Sequence, residues 1–275
     1  MKTSENISVI TSVNTFNAPG TQSSPDVRNV GAATDVGYYR EHNEDSYLAE
    51  APLFAVADGM GGHNAGEVAS KIAIDTLVSR RIKHANPEEL GTAIMSANIA
   101  ILNAAFEGES REGMGTTLTA AVLDGLNLLI GHVGDSRAYV FAEGNLQQIT
   151  RDHSLVANMV EAGQITEAEA RVHPKRSIIT RALGIDPNMA APDLYEVELA
   201  PGDRILICSD GLTGMVPDEK ITVTMRTVKD AQECAETLIK QALQGGGHDN
   251  ITAIVVNVTD KEQPKKRRGL FGRRH

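Results

Sequence analysis

The stretch Leu53-Phe-Ala-Val-Ala-Asp-Gly-Met-Gly-Gly-His-Asn-Ala-Gly-Glu-Val-Ala-Ser70 runs an apolar segment into a lone aspartate and then into four glycines within eight residues. A carboxylate at the end of a buried strand is costly to desolvate unless something compensates it. The glycines mean that the backbone beyond it turns tightly or lets another group approach closely. A structural turn and a ligand site both satisfy these conditions, so the rest of the chain has to decide between them.

The same arrangement recurs. Asp135 follows the apolar run of LLIGHVGDSRAY, Asp210 stands at a strand end before Gly211 in RILICSDGLTG, and Asp249 stands just before the final apolar run in GGGHDNITAIVV; REHNEDSY adds Glu44 and Asp45. Singly, each aspartate reads as an Asx-turn or a helix cap. Together they ask for a common cause. If the strands share a sheet their ends converge, and several carboxylates within a few ångströms repel unless cations sit among them. Oxygen-only donors select hard ions such as Mg²⁺ or Mn²⁺. Gly59 can offer its carbonyl to an ion because no side chain blocks the approach, so the glycines are expected to make room around Asp58.

The 275 residues are 41% hydrophobic, enough for a sizeable core. Two cysteines, Cys208 and Cys234, without a CxxC or Cys/His cluster argue against disulfides and structural zinc and fit a reducing, cytoplasmic setting. The N-terminus lacks a basic start followed by an apolar run, and no segment approaches the ~18 consecutive apolar residues of a membrane span. A net charge of -10 disfavours nucleic acid as a partner. The tail KEQPKKRRGLFGRRH (261–275) nevertheless carries seven Lys/Arg against one Glu, a composition able to touch an anionic surface.

Residues 1–27 read as a flexible leader and 28–260 as one domain, with 261–275 as the basic tail. Strands are expected at 53–58, 116–123, 127–141 with a break at VGDS, 146–150, 194–199, 204–209 and 251–258. EGN at 143–145 marks a hairpin turn. Asn86, Pro87 and Glu89 open an amphipathic helix along Leu90, Ile94, Ala97, Ile101 and Ala105; further helices are expected at 68–82 and 230–243. Strands grouped in runs point to α+β layers with antiparallel sheets. No P-loop, no G-x-S-x-G and no cysteine-phosphatase spacing occurs, and Asn64 occupies the third glycine position of a dinucleotide fingerprint.

The ordered blocks TDVGYYREHNEDS, FAVADGMGGHNAGEVAS, MGTTLTAAVL, GHVGDSRAYVF, ITRDHSLV, CSDGLTGMV and GGHDNITAIVV resemble the metal-dependent Ser/Thr protein phosphatases of type 2C, in their bacterial form. The resemblance covers about residues 28–260. It implies a four-layer α-β-β-α sandwich of two antiparallel sheets with a flap insert at about 151–190. It also implies hydrolysis of phosphoserine and phosphothreonine on proteins, opposite a cognate Ser/Thr kinase, by a monomeric enzyme. By the same resemblance Asp58 bridges two Mn²⁺ or Mg²⁺ ions, the Gly59 carbonyl serves one, and Asp210 and Asp249 hold the other. Asp135 with Asp210 matches a weaker third metal position. Glu44 and Asp45 match the acidic pair that contacts metal-bound waters, and Arg40 matches the phosphate-binding arginine.

Two bridging cations lower the pKa of a shared water from ~15.7 toward neutrality, so hydroxide can attack phosphorus directly without a covalent phosphoenzyme. A histidine suits protonation of the leaving alkoxide. Met60 stands where the eukaryotic family has its histidine, so His63 takes the substrate-contact and acid role. His132 and His248 are expected beside the motif aspartates, His153 and His173 at the surface, and Ser136 and Arg137 as structural hydrogen-bonding residues. A catalytically silent phosphoprotein-binding scaffold is the rival reading, and one centred on the basic tail is a third; the complete set of carboxylates argues against the silent scaffold.

Overall fold

A computed structural model describes residues 27–61, 65–107, 113–188 and 191–259. The leader up to residue 26, the tail from residue 260, and His63 therefore lie outside the described residues. The chain runs through β1 (Val27–Asp35), β2 (Asp45–Glu50), β3 (Leu53–Met60), α1 (Ala65–Arg80), α2 (Pro87–Glu107), β4 (Gly115–Thr116), β5 (Leu118–Asp124) and β6 (Asn127–Val133). It continues through β7 (Arg137–Ala142), β8 (Asn145–Gln148), α3 (Leu155–Glu161), α4 (Glu167–Arg171), β9 (Asp193–Glu198) and β10 (Arg204–Cys208). The last elements are α5 (Asp210–Thr213), α6 (Asp218–Thr227), α7 (Ala231–Gln244) and β11 (Ile251–Val258).

The strands form two antiparallel sheets. One has the order β1-β11-β10-β7-β8 and the other β2-β3-β5-β6-β9, with β4 extending β3. Side chains alternate between sheet faces, and here both faces are covered. On β3, Phe54 and Val56 enter the core between the sheets, whereas Leu53, Ala55 and Ala57 face the outer helices α1 and α2. On β10, Ile205 and Ile207 point between the sheets, whereas Leu206 and Cys208 meet α6 and α7. Three cores stacked in this way give the α-β-β-α sandwich. They also explain the unbroken apolar runs: a strand covered on both faces has no polar phase.

Local signals act as expected at several elements. The Glu89 N–H donates to Asn86 Oδ1 (3.1 Å) at the start of α2, and Leu90, Ile94, Ala97 and Ile101 are buried beneath it. By length and apolarity α2 could cross a membrane, but this buried face belongs to the core against the second sheet. Asp230 caps α7 by accepting the Glu233 N–H (2.9 Å), and Gly245 closes it. Positive φ at Glu143 and Gly144 makes the β7–β8 turn. The break at VGDS sends the chain from one sheet to the other: β6 lies in the second sheet and β7 in the first. Gly134, at φ 114°, turns this corner.

The expected elements needed some revision. Helix α1 begins at Ala65, and Asp210 opens α5 instead of ending a strand. β1, β2 and α6 are additional to the expected elements. β1 and β2 carry few large apolar residues, because β1, VRNVGAATD, is an edge strand of the first sheet and β2, DSYLAE, is an edge strand of the second. Their pairing, with Asp35 opposite Ile251 and Asp45 opposite Asp58, is supplied by the neighbouring strand.

Candidate active site

The ends and starts of antiparallel strands alternate along a sheet, and that alternation collects the carboxylates at one end of the sandwich. Asp45 starts β2 directly opposite Asp58 near the end of β3. Asp135 follows β6, Asp210 follows β10, and Asp249 precedes β11. Burial raises the pKa of Asp58 well above the usual range, and the neighbouring charges of Asp45, Asp210, Asp135 and Asp249 raise it further. Asp210 is pushed up to about 6, first by burial and then by Asp249, while its side-chain hydrogen bond with Asp58 works the other way. The three carboxylates whose convergence the metal reading requires are thus electrostatic neighbours.

Hydroxyls and amides fix this cluster. Asp45 Oδ2 accepts from Ser209 Oγ (2.8 Å) and Thr252 Oγ1 (2.7 Å). Burial still carries its pKa up to about 7, against the pull of those two hydroxyls. The Asp58 backbone is held on both sides: its N–H donates to Thr117 Oγ1 (3.0 Å), and its carbonyl accepts from Thr117 N (2.9 Å) and Thr116 Oγ1 (2.9 Å). Thr117 Oγ1 in turn lies 2.7 Å from Ser136 Oγ. Asn250 Oδ1 takes the Glu44 N–H (2.8 Å), and its Nδ2 donates to the carbonyls of Val36 (2.9 Å) and His42 (3.0 Å). These residues all sit inside the quoted motif blocks; Ser136 takes the structural hydrogen-bonding part expected of it, whereas spacing alone gave the Thr residues, Ser209 and Asn250 no role.

Gly59 is explained differently from the expectation. A Cβ there would lie 2.2 Å from the Gly66 carbonyl oxygen and 2.6 Å from that of Glu44. The space beside Gly59 is taken by the first turn of α1, so close backbone packing by itself excludes a side chain. Gly66 is equally constrained, with its own Cβ position 2.6 Å from Glu44 Oε1. The Gly66 backbone is hydrogen-bonded to the Glu44 carboxylate at the N-terminus of α1, yet burial raises the Glu44 pKa above its usual range against that bond and the nearby Arg40.

Arg40 donates from Nη2 to Asp249 Oδ2 (2.8 Å), and its pKa is raised chiefly by that bond, with Glu44 and Asp58 adding to it. Asp135 is buried and raised first by burial and then by Asp210, with Arg137 opposing. Arg137 itself grips Asp152 through Nε (2.8 Å) and Nη2 (2.7 Å), the structural part expected of it. His132 is buried, and its two ring nitrogens are bonded to groups other than the motif aspartates: Nδ1 pairs with Thr119 Oγ1 (2.9 Å) and Nε2 with the Arg151 carbonyl (3.0 Å). His248 stacks against Tyr39.

The surface position expected for His153 is wrong: the residue is only 7% exposed. The Gly134 N–H donates to its Nδ1 (3.0 Å), which leaves Nε2–H for Asp193 Oδ2 (3.1 Å); Arg181 Nη1 donates to Asp193 Oδ1 (2.7 Å). The partners that bury it come from the far end of the insert and from β9, so no local pattern announces them.

The residues fit a site for hard cations on two observations. The Oδ1 atoms of Asp45 and Asp135 are buried and accept no hydrogen bond, a state that is costly for a carboxylate in the absence of a cation. The donors around them are oxygens, which suits Mn²⁺ or Mg²⁺. Among the described residues no three Asp, Glu, His or Cys side chains are already closed into a cage for one ion. The cluster is therefore a set of carboxylates close enough to raise one another's pKa, with no closed three-ligand cage among the described residues.

Comparison with known proteins extends this picture. Residues 33–251 match the family described as Protein phosphatase 2C. The chain is 44% identical over 237 residues to the serine/threonine protein phosphatase PstP of Mycobacterium tuberculosis, covering 83% of this chain but 45% of that protein, so it spans less than half of that relative's length. It is 38% identical over 236 residues to the serine/threonine phosphatase stp of Listeria monocytogenes, covering 81% of this chain and 93% of that one. Among solved structures, the Mycobacterium tuberculosis phosphatase PstP/Ppp superposes with a TM-score of 0.80 at 42% identity, over 84% of this chain and 98% of that one. The PstP catalytic domain in complex with two manganese ions gives 0.78 at 41% identity, over the same shares.

Proposed function

The chain belongs to the protein phosphatase 2C family, and on that premise we propose that it hydrolyses phosphoserine and phosphothreonine on proteins with the help of Mn²⁺ or Mg²⁺. The observation that carries this reading is the gathering of Asp45, Asp58, Asp135, Asp210 and Asp249 at one end of the sandwich with orphaned carboxylate oxygens. Asp58, the Gly59 carbonyl, Asp210 and Asp249 would hold two ions, and Asp135 with Asp210 a third, with Glu44 and Asp45 behind them. When bound, divalent ions supply Lewis acidity that makes water nucleophilic near neutral pH.

The chain's own residues do the remaining work. Arg40 can offer its planar guanidinium to two phosphate oxygens; Asp249, which accepts one of its N–H groups, presets its orientation. Ser209 and Thr252 hold Asp45 in one rotamer, and the Thr116–Thr117–Ser136 bonds hold the Asp58 backbone. Positioning of this kind matters because an error of about 1 Å in a reacting geometry costs ~100-fold in rate. His63 remains the assigned substrate-contact and acid residue. A Ser/Thr kinase supplies the phosphoproteins, and the two buried free cysteines support a cytoplasmic location.

Phosphate release from a phosphothreonine peptide with Mn²⁺ tests the reading, with and without a chelator and in wild type against Asp58→Asn. Activity should vanish with the chelator and in the variant. Turnover indifferent to both would refute the assignment.

A further inference from the structure

Tyr38 and Tyr39 are 70% and 69% exposed, immediately before Arg40. Their loop is nevertheless fixed. The Tyr38 N–H donates to the Gly247 carbonyl (2.8 Å), and the Gly37 N–H donates to Asp35 Oδ1 (2.8 Å). Gly37 has φ 77°, and a Cβ there would lie 2.3 Å from the Asp249 carbonyl oxygen. The Tyr39 ring meets the His248 ring with centroids 4.5 Å apart and a 48° tilt. The Tyr38 ring borders Gly247, whose Cβ position is 2.9 Å from Tyr38 Cδ2. The two rings thus form a shelf anchored to the segment that carries Asp249, beside the Arg40–Asp249 pair.

Large aromatic rings held rigidly at a surface lose little conformational entropy when something packs on them. The charge around the shelf selects what that is. Along the loop itself, from Asp35 to Asp45, Arg40 is the one Lys or Arg, against Asp35, Glu41, Glu44 and Asp45. Glu41, next to Arg40, is exposed. Ions at the centre would neutralise Asp58, Asp210 and Asp249, but Glu41 stands outside that set. A surface of π faces bordered by carboxylate is complementary to a cation.

We propose that Tyr38 and Tyr39, with Glu41, bind an Arg or Lys side chain flanking the phosphorylated residue, so that this protein prefers phosphopeptides with a basic flank. The inference rests on the phosphatase reading above. With the phosphate at Arg40 and a chain advance of ~3.3–3.6 Å per residue, the shelf lies within reach of the first few flanking positions.

The test uses phosphothreonine peptides identical except for Arg, Ala or Leu at the flanking positions, with kcat/KM measured in Mn²⁺. Wild type should favour Arg over Ala by about threefold to tenfold, the scale of a cation–π contact, and the preference should weaken with salt. The ratio should fall toward one in Tyr39→Leu and in Tyr38→Leu and persist in Tyr39→Phe. Hydrolysis of the Ala peptide by each variant shows that it is folded. Equal rates on Arg and Ala peptides in wild type, a Leu peptide preferred over Arg, or a ratio unchanged in both Leu variants would overturn the proposal. Absence of Mn²⁺-dependent cleavage of every peptide would instead overturn the phosphatase reading, and the proposal with it.

Discussion

Replacing Gly59 with alanine tests the link between packing and site. The added Cβ would sit 2.2 Å from the Gly66 carbonyl oxygen, 2.4 Å from its carbon and 2.6 Å from the Glu44 carbonyl oxygen. Ordinary contacts to Cβ begin at 3.4 Å, so the first turn of α1 has to retreat by about 1 Å, and all three obstructing atoms are backbone. Overpacking of this kind costs about 1–3 kcal/mol. The same retreat drags the Glu44 carboxylate with it, because that group is bonded to the Gly66 backbone; misplacement on this scale costs ~100-fold in rate.

Gly91→Ala in α2 is the matched control. Its Cβ would meet only Leu194 Cδ1 at 3.9 Å, so helix propensity should make that variant more stable by about 1 kcal/mol. Urea denaturation of the chelated proteins reads the stability, and kcat/KM on a phosphothreonine peptide reads the site. Should Gly59→Ala unfold within about 0.5 kcal/mol of wild type and keep its turnover, the steric account of the glycine would be wrong.

Further outcomes follow from other parts of the structure. Burial lowers the pKa of His132 to about 3, whereas the unfolded chain takes up its proton near 6.5. This contribution to stability is therefore complete above pH 6.5 and declines as the pH falls toward 3, by about 1.4 kcal/mol per pH unit. Denaturation at pH 7 and pH 5 should show wild type losing roughly 2 kcal/mol more than His132→Gln, and equal losses would contradict it. Arg40→Lys keeps the charge but not the planar fork, so KM for a phosphopeptide should rise about tenfold while metal affinity changes little; calorimetric Mn²⁺ titration separates the two. Arg181→Met removes the donor to Asp193 Oδ1 and the Ala191 carbonyl (2.7 Å each). Limited proteolysis should then cut the 151–188 segment faster than in wild type, and an unchanged rate would show that the pair does not restrain it.

The contribution of sequence and of structure can be separated residue by residue. Apolar runs at 53–58, 204–209 and 251–258 and the caps at Asn86 and Asp230 are local properties, so strand, helix and α+β class follow from the chain alone. The aspartates were legible for a related reason, since a charge at the end of an apolar run conflicts with burial unless it has a purpose. Tertiary structure alone decided what the surroundings do. The edge strands β1 and β2 lack a pattern of their own and are strands because β11 and β3 pair with them. Gly59 is a glycine because α1 lies against it. His153 is buried because Arg181 and Asp193 arrive from 28 and 40 residues away. Hydrophobic period and capping act over a few residues and can be read along the chain; close approach, burial and mutual repulsion depend on atoms that only folding brings together.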